Sequence, residues 1–294
     1  MTLHAVLERL PYFYINPSSV CGFEITNDPF LFPATSGMAS SKGVALVTGG
    51  ARGIGRSIAL RLADDGFDVA INDLPGTEQL KDVAAEIEGK GRRTHISTGD
   101  VSQEQDVIDM IKSVVDTLGG IDVMVANAGI LLMQKVFDTT VEAFDRTYAI
   151  NVRGVMLCYK YAAAQMVAQG RGGRLIAASS LAGKRGSPFL FSYSASKFAV
   201  RGLTHVAATE LAQYGITVNV YCPGATDTRM LTEMDEVTSG DGRLPTSQAF
   251  ANNTPMGRTG VPTDVANVVS FLASKESGFI TGQSISVDGG SYLD

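Results

Sequence analysis

Val44-Ala-Leu-Val-Thr-Gly49-Gly-Ala-Arg-Gly53-Ile-Gly55 runs an apolar strand-like segment into a glycine-rich turn and on into a stretch with helical spacing. The first four residues show no alternation, which suits a strand buried on both faces. Glycines in the turn permit positive φ and let backbone N–H groups approach a pyrophosphate at a helix N-terminus, where the dipole favours the anion. The spacing is Gly49-x3-Gly53-x-Gly55 rather than the Gly-x-Gly-x-x-Gly of the dinucleotide fingerprint. Such a turn also forms for purely structural reasons, so the strand–turn–helix context carries the phosphate reading.

Downstream, the same alternation of short apolar runs and helical stretches continues. The runs are VALV (44–47), DVAIN (68–72), THIS (94–97), DVMVA (122–126), RLIAA (174–178), ITVNVY (216–221) and SISV (284–287). Helical segments such as Ile54–Asp64 and Gln103–Leu118 lie between them. Seven strands, six followed by helices, predict an α/β fold: one Rossmann-like doubly wound domain, a parallel sheet with helices on both faces. The rhythm breaks over residues 226–260, rich in Thr, Ser, Gly and Asp, where a substrate loop covering the carboxyl edge of the sheet is expected.

Residues 1–40 hold four prolines and scattered aromatics without a sustained period, so an irregular N-terminal extension is expected before a domain over 41–294. Met38, immediately before the first strand, reads as an alternative start. At 294 residues and 45% hydrophobic content the chain can build a large core. A net charge of -6 gives no basic footprint for nucleic acid or an anionic membrane. No apolar run approaches the ~20 residues that span a bilayer. The N-terminus lacks both a basic secretory n-region and an Arg-rich presequence, so a cytoplasmic location is expected. Cys21, Cys158 and Cys222 lack metal or disulfide spacing, and His4, His95 and His205 lack ligand spacing, so no metal site is expected.

Two further groups of residues carry chemistry. Asp73 ends the second strand 18 residues past Gly55. A carboxylate there accepts from a ribose 2′-OH and repels a 2′-phosphate, which favours NAD(H) over NADP. Arg52 in the glycine turn pulls the other way, and an ordinary turn residue is the plain alternative for Asp73. Tyr193 and Lys197 lie four apart on one face of an expected helix. An ammonium beside a phenol that otherwise titrates near ~10 lowers its pKa toward a range useful for proton transfer. Tyr-x3-Lys is common by chance, but Ser179 and Ser180 fall just past the fifth strand, at the edge where such sheets bind ligands, and a hydroxyl there can donate to a developing alkoxide.

With TGGARGIG, Asn127-Ala-Gly129, Asn151, Ser180, YSASK and Pro223-Gly224 in this order, residues 42–294 resemble the short-chain dehydrogenase/reductase family; Ser180 precedes Tyr193 by the family's usual 13 residues. The resemblance implies a seven-stranded sheet of order 3-2-1-4-5-6-7. It implies Tyr193 as general acid/base, Lys197 as the group that lowers its pKa and binds the nicotinamide ribose, Ser180 as the residue orienting the substrate oxygen, and Asn151 as the holder of a relay water. For the cofactor it implies Gly49, Arg52, Gly53, Ile54 and Gly55 at the phosphates, Asp73 at the ribose and Asp100-Val101 at the adenine. Asn127 and Gly129 would lie along it, with Pro223, Gly224, Thr226 and Thr228 near the nicotinamide. Substrate contacts would come from Ser180, Leu181, Ala182, Phe189–Ser192, Tyr193 and the 226–260 loop. Ala126 departs from the family, which usually has Asn there, and puts local strand packing in question.

Within the family, the stretches IALRLADDGFDVAI, SKFAVRGLT, YGITVNVYCPG and TGQSISVDGG resemble the acetoin/diacetyl reductase and 2,3-butanediol dehydrogenase group. The expected function is NAD(H)-dependent hydride transfer to a small ketone such as acetoin or diacetyl. The alternatives are another carbonyl substrate (a 3-oxoacyl thioester, a sugar or polyol, a secondary metabolite) and a cofactor-sensing protein without turnover. A homotetramer or homodimer is expected by family analogy, with the apolar helix around 155–168 at an interface.

Overall fold

Residues alternate between the two faces of a strand, and in runs such as VALV (44–47) and DVMVA (122–126) both sets are apolar, so these strands must be covered twice. The computed structural model, which describes residues 41–240 and 242–293, satisfies this with one seven-stranded sheet of order β3-β2-β1-β4-β5-β6-β7. The strands are β1 (Val44–Thr48), β2 (Asp68–Asp73), β3 (Thr94–Thr98), β4 (Val123–Ala126), β5 (Gly173–Ala178), β6 (Ile216–Pro223) and β7 (Ser284–Val287). All six neighbouring pairs are parallel. The expected extension over 1–40, with Met38 and Cys21, lies outside the described residues.

Nine α-helices are described, and three on each side build the two cores. Ala45, Val47, Val69, Ile71 and Ile176 pack with α1 (Gly53–Asp64), α2 (Gln79–Gly89) and α9 (Pro262–Ala273). Leu46, Met124, Leu175 and Val218 pack with α3 (Glu104–Leu118), α5 (Gly154–Gln169) and α6 (Phe191–Leu211) on the other face. Ala126, the departure noted in the sequence, is buried here and pairs with Ala177. The apolar residues of α5, expected at a subunit interface, are mostly taken up by this core; Met156 and Val167 remain exposed. No helix among the described residues is long and apolar enough to cross a membrane.

Between β4 and α5 the chain forms α4 (Val141–Tyr148) and a π-helical turn (Ala149–Arg153). The 226–260 stretch is not a plain loop. It holds α7 (Arg229–Gly240) and α8 (Thr246–Asn253). Leu231, buried, and Met234, which packs against the Ala182–Leu190–Tyr193 cluster, are three apart on one face of α7. Polar composition masked that stripe, but two apolar anchors suffice to seat the helix.

A buried ion cluster ties β2 to the start of β3. Asp68 accepts from Arg92 Nη2 at 2.7 Å and from Arg93 Nε at 2.9 Å, and the Arg93 backbone N–H donates to it at 3.1 Å. Burial alone raises the Asp68 pKa, but the Arg93 backbone bond and the two guanidinium groups outweigh it and hold the carboxyl below its usual value. Asp68→Ala removes the carboxylate that both cations share. We expect a loss of about 3–5 kcal/mol in urea unfolding at neutral pH, as for other buried pairs that lose one partner. Because the folded pKa is depressed, the wild-type advantage is present above about pH 4 and shrinks as the pH falls below it.

Candidate active site

All parallel strands end at one edge, and the order reverses between β1 and β4, where a crevice opens. A cleft of about 840 Å³ occupies that edge and is lined from the ends of β1 through β6. The glycine turn forms one wall. Gly49 has φ +64° and Gly53 φ +54°, conformations that favour glycine. The first N–H groups of α1 have no partner within the helix, and Gly53, Ile54 and Gly55 face the cleft. A Cβ on Gly55 would collide with the Gly49 carbonyl oxygen and Asn127 Nδ2. This is a cradle of the kind that holds a pyrophosphate.

Asn127 braces that cradle. Its Nδ2 donates to the Thr48 carbonyl at 2.9 Å and to the Gly49 carbonyl at 3.2 Å. Its Oδ1 accepts from the Tyr221 hydroxyl at 2.9 Å, and its backbone N–H donates to Thr48 Oγ1 at 3.1 Å. Tyr221 is fully buried on β6 and lines the cleft, a role the sequence reading missed. The rule that ligands meet the carboxyl ends of strands would have nominated it.

Asp73 closes the far end. Its Oδ2 accepts from the Ala51 N–H at 3.3 Å and its Oδ1 from the Leu74 N–H at 2.9 Å, so the carboxylate also steadies the glycine turn. Asp100 and Val101 line the neighbouring wall. A dinucleotide fits these residues: glycines clear its path, helix N–H groups face its phosphates and carboxylates stand at the adenosine end.

At the other end Ser180, Tyr193 and Lys197 meet. The Ala182 N–H donates to Ser180 Oγ at 3.1 Å, and Ser180 in turn hydrogen-bonds the Tyr193 phenol. Lys197 Nζ stands 5.5 Å from the centre of the Tyr193 ring and donates to the Ala178 carbonyl at 2.9 Å. The electrostatics reverse part of the sequence expectation. Burial pushes the Tyr193 phenol up to about 12, with the Ser180 bond only partly offsetting it, and burial pulls Lys197 down to about 8. In the protein alone, desolvation outweighs the nearby ammonium.

Every residue expected to act in catalysis or hold the cofactor lines the cleft except Asn151. Both Nδ2 hydrogens of Asn151 are engaged elsewhere, and its Oδ1 takes one bond. Its Oδ1 accepts from the Ile130 N–H at 2.9 Å, while its Nδ2 donates to the Ile130 carbonyl at 2.9 Å and to Ser196 Oγ at 3.1 Å. Ser196 then donates to the Tyr193 carbonyl at 2.7 Å. Asn151 thus links the π turn to the helix that carries Tyr193 and Lys197. Of the expected Phe189–Ser192 wall, Phe189 and Leu190 line the cleft; Phe191 points outward and Ser192 is buried beneath. Leu131, Met133, Met234 and Phe250 complete an apolar wall; the last two fall in the 226–260 stretch expected at the substrate, whereas no local pattern had indicated Leu131 and Met133.

A family model described as enoyl-(acyl carrier protein) reductase matches residues 49–292. A short-chain dehydrogenase/reductase of Armillaria gallica is 53% identical over 252 residues, 85% of this chain and 96% of that protein. The L-2,3-butanediol dehydrogenase of Corynebacterium glutamicum is 41% identical over 84% of this chain and 97% of its own length. The crystal structure of an NAD+-bound xylitol dehydrogenase matches with a TM-score of 0.80 at 33% identity, covering 85% of this chain and 99% of that one.

The collision at Gly55 makes a direct test of the cradle. Gly55→Ala should displace the turn and weaken binding of the nicotinamide dinucleotide at least about ten-fold, a cost of ~1.4 kcal/mol. Titration of NADH fluorescence would show it, and unchanged affinity would mean that the phosphates bind elsewhere.

Proposed function

This chain belongs to the short-chain dehydrogenase/reductase family, and we propose that it is an NAD(H)-dependent enzyme that interconverts a ketone and a secondary alcohol, with acetoin or diacetyl as its first substrate reading. The observation that carries the proposal is the meeting of Ser180, Tyr193 and Lys197 between a dinucleotide cradle and an apolar wall. NADH, held by the glycine turn and Asp73, would supply the hydride, and its oxidised form a positive charge. Ser180 accepts the Ala182 N–H, and its own hydrogen, which lies toward the Tyr193 phenol in the protein alone, can turn to the substrate oxygen. Tyr193 gives that oxygen a proton in reduction and takes it back in oxidation. Lys197, held by the Ala178 carbonyl, is the fixed cation that favours phenolate. Asn151 acts here as a positioning residue, through Ser196 and Ile130.

NAD(H) is favoured by the Asp73 carboxylate at the end of β2, since a 2′-phosphate there would meet like charge. The acetoin reading is supported by the butanediol dehydrogenase relative, whose named substrate is the reduced partner of acetoin. A second reading, a larger ketone, is favoured by the wall of Leu131, Met133, Leu190, Met234 and Phe250, which offers a four-carbon substrate more apolar surface than it can cover. We place the enzyme in the cytoplasm as a homo-oligomer, by analogy with its family.

A spectrophotometric panel tests the reading: NADH and NADPH oxidation against diacetyl, acetoin, 3-oxoacyl thioesters, keto sugars and longer alkyl ketones. We expect kcat/KM with NADH to exceed that with NADPH; a clear preference for NADPH would overturn the role given to Asp73. Tyr193→Phe should lower turnover by about 10²–10⁴ while NADH affinity stays within about two-fold. Undiminished turnover in that variant would remove Tyr193 from the chemistry.

The pH profiles should diverge. Reduction needs the protonated phenol, which burial favours, so its kcat/KM should stay level from about pH 6 to 8. Oxidation needs phenolate, so its kcat/KM should climb steadily between about pH 7 and 10. Profiles of the same shape in both directions would argue against Tyr193 as the shared acid and base.

A further inference from the structure

Most arginines among the described residues have a partner. Arg56, Arg61, Arg92, Arg93, Arg171, Arg229 and Arg258 pair with carboxylates. Arg153, Arg174 and Arg201 donate to backbone or hydroxyl oxygens. The arginines with no ion pair or hydrogen bond among the described residues are Arg52, Arg146, Arg185 and Arg243, and all of them line the one cleft. Arg52 belongs to the glycine turn. The others come from α4, from the segment after Ser180 and from the turn between α7 and α8.

The acids of the cleft lie elsewhere. Asp73 and Asp100 stand at the ends of β2 and β3, and Asp227 is next to Thr228, whose methyl lies 3.4 Å from where a Gly53 Cβ would be. Among the described residues, the apolar half of the cleft is therefore rimmed by guanidinium groups with no ion-paired carboxylate, in a chain whose net charge is -6.

The backbone also invests strain at this rim. Phe189 has φ +67°, the one positive φ recorded among the described non-glycine residues, a conformation that costs about 1–3 kcal/mol. It is locked by the Gln134 N–H, which donates to the Phe189 carbonyl at 2.7 Å. In that pose its ring lies 4.3 Å from the Arg243 guanidinium and 5.7 Å from Lys135 Nζ. The ring thus holds Arg243 at the cleft mouth, leaving its N–H fork open to a planar oxyanion. Arg185, four residues before Phe189, lines the same cleft.

We propose that the substrate is a ketone with a carboxylate remote from its reacting carbonyl: Arg185 and Arg243 hold the carboxylate at the mouth, and the apolar wall takes the chain between. The proposal rests on the ketone-reduction reading above and on the larger of its two substrates. It makes Arg185 and Arg243 specificity residues that never touch the reacting atoms.

The test uses (ω−1)-oxo carboxylic acids of increasing chain length, each beside its neutral methyl ester, with NADH. At the best chain length kcat/KM for the acid should exceed that for the ester at least about ten-fold, chiefly through KM, and KM for the acid should rise with ionic strength. In the Arg185→Gln/Arg243→Gln double variant the acid-to-ester ratio should collapse toward one; NADH fluorescence titration checks that this variant is folded. Equal rates for acid and ester in the wild type, or a ratio that survives the double variant, would overturn the proposal. Preference for a 3-oxobutanoyl phosphopantetheine thioester over every oxo acid would overturn it too, by giving the arginines to a phosphate. If neither acid nor ester nor any ketone of the panel above is reduced, the hydride-transfer reading fails. Calorimetric titration of the NAD+-mixed protein with each pair still decides the carboxylate question, because only the proposal predicts tighter binding of the acid.

Discussion

The Asn127 side chain joins the ends of three strands. From the end of β4 it donates to the last carbonyl of β1 and to Gly49, and it accepts the Tyr221 hydroxyl from β6. These groups are buried or half-buried, so each must find a partner inside the protein. The carboxamide satisfies all of them at once, and the glycine turn is thereby held open at the point where the strand order reverses. Without it, the turn would be tied to β4 only through the β1–β4 ladder and the Thr48 hydroxyl, and the Gly49 carbonyl would lose its side-chain partner.

The same enclosure shapes the reactive end. Tyr193 and Lys197 lie under the edge of the sheet, where loss of water opposes both phenolate and ammonium. Hence the phenol rises and the lysine falls in the protein alone, although the two lie close together. A tyrosine–lysine pair is thus insufficient to make a proton carrier. It needs the Ser180 hydroxyl, the carbonyl of Ala178 and a positive charge brought in with the cofactor. The rigidity of α6, anchored through Ser196 to Asn151 and through the Ser179 hydroxyl to the Lys197 carbonyl at 2.9 Å, keeps these groups in register.

The wall facing them follows another principle. Leu131 and Met133 come from the segment after β4, Leu190 from the segment before α6, and Met234 and Phe250 from α7 and α8. Spread over more than a hundred residues of chain, they share no single motif. Their common property is apolar surface beside Ala182 and Tyr193, and only folding brings them together.

The strands, most helices and the phosphate cradle were legible because they depend on local physics. Apolar runs in which both faces are apolar must be buried twice, and glycines between a strand and a helix clear the approach to the helix N–H groups. Tyr193, Lys197 and Ser180 were legible through their spacing, Asp73 through its position at a strand end. Asn151 was recognised but its side chain was not placed, since its hydrogen bonds run to Ile130 and Ser196 rather than into the cleft. Polar composition hid α7 and α8, whose stability comes from a few apolar anchors rather than from a long stripe. The sequence by itself therefore determined the sheet, the edge where the cleft opens and the residues proposed for the reaction, all set by short-range pattern. The tertiary structure alone decided the protonation balance of the buried pair, the Asn127 brace and the shape and charge of the substrate wall. Those depend on burial and on contacts between distant segments, which no local stretch of chain encodes.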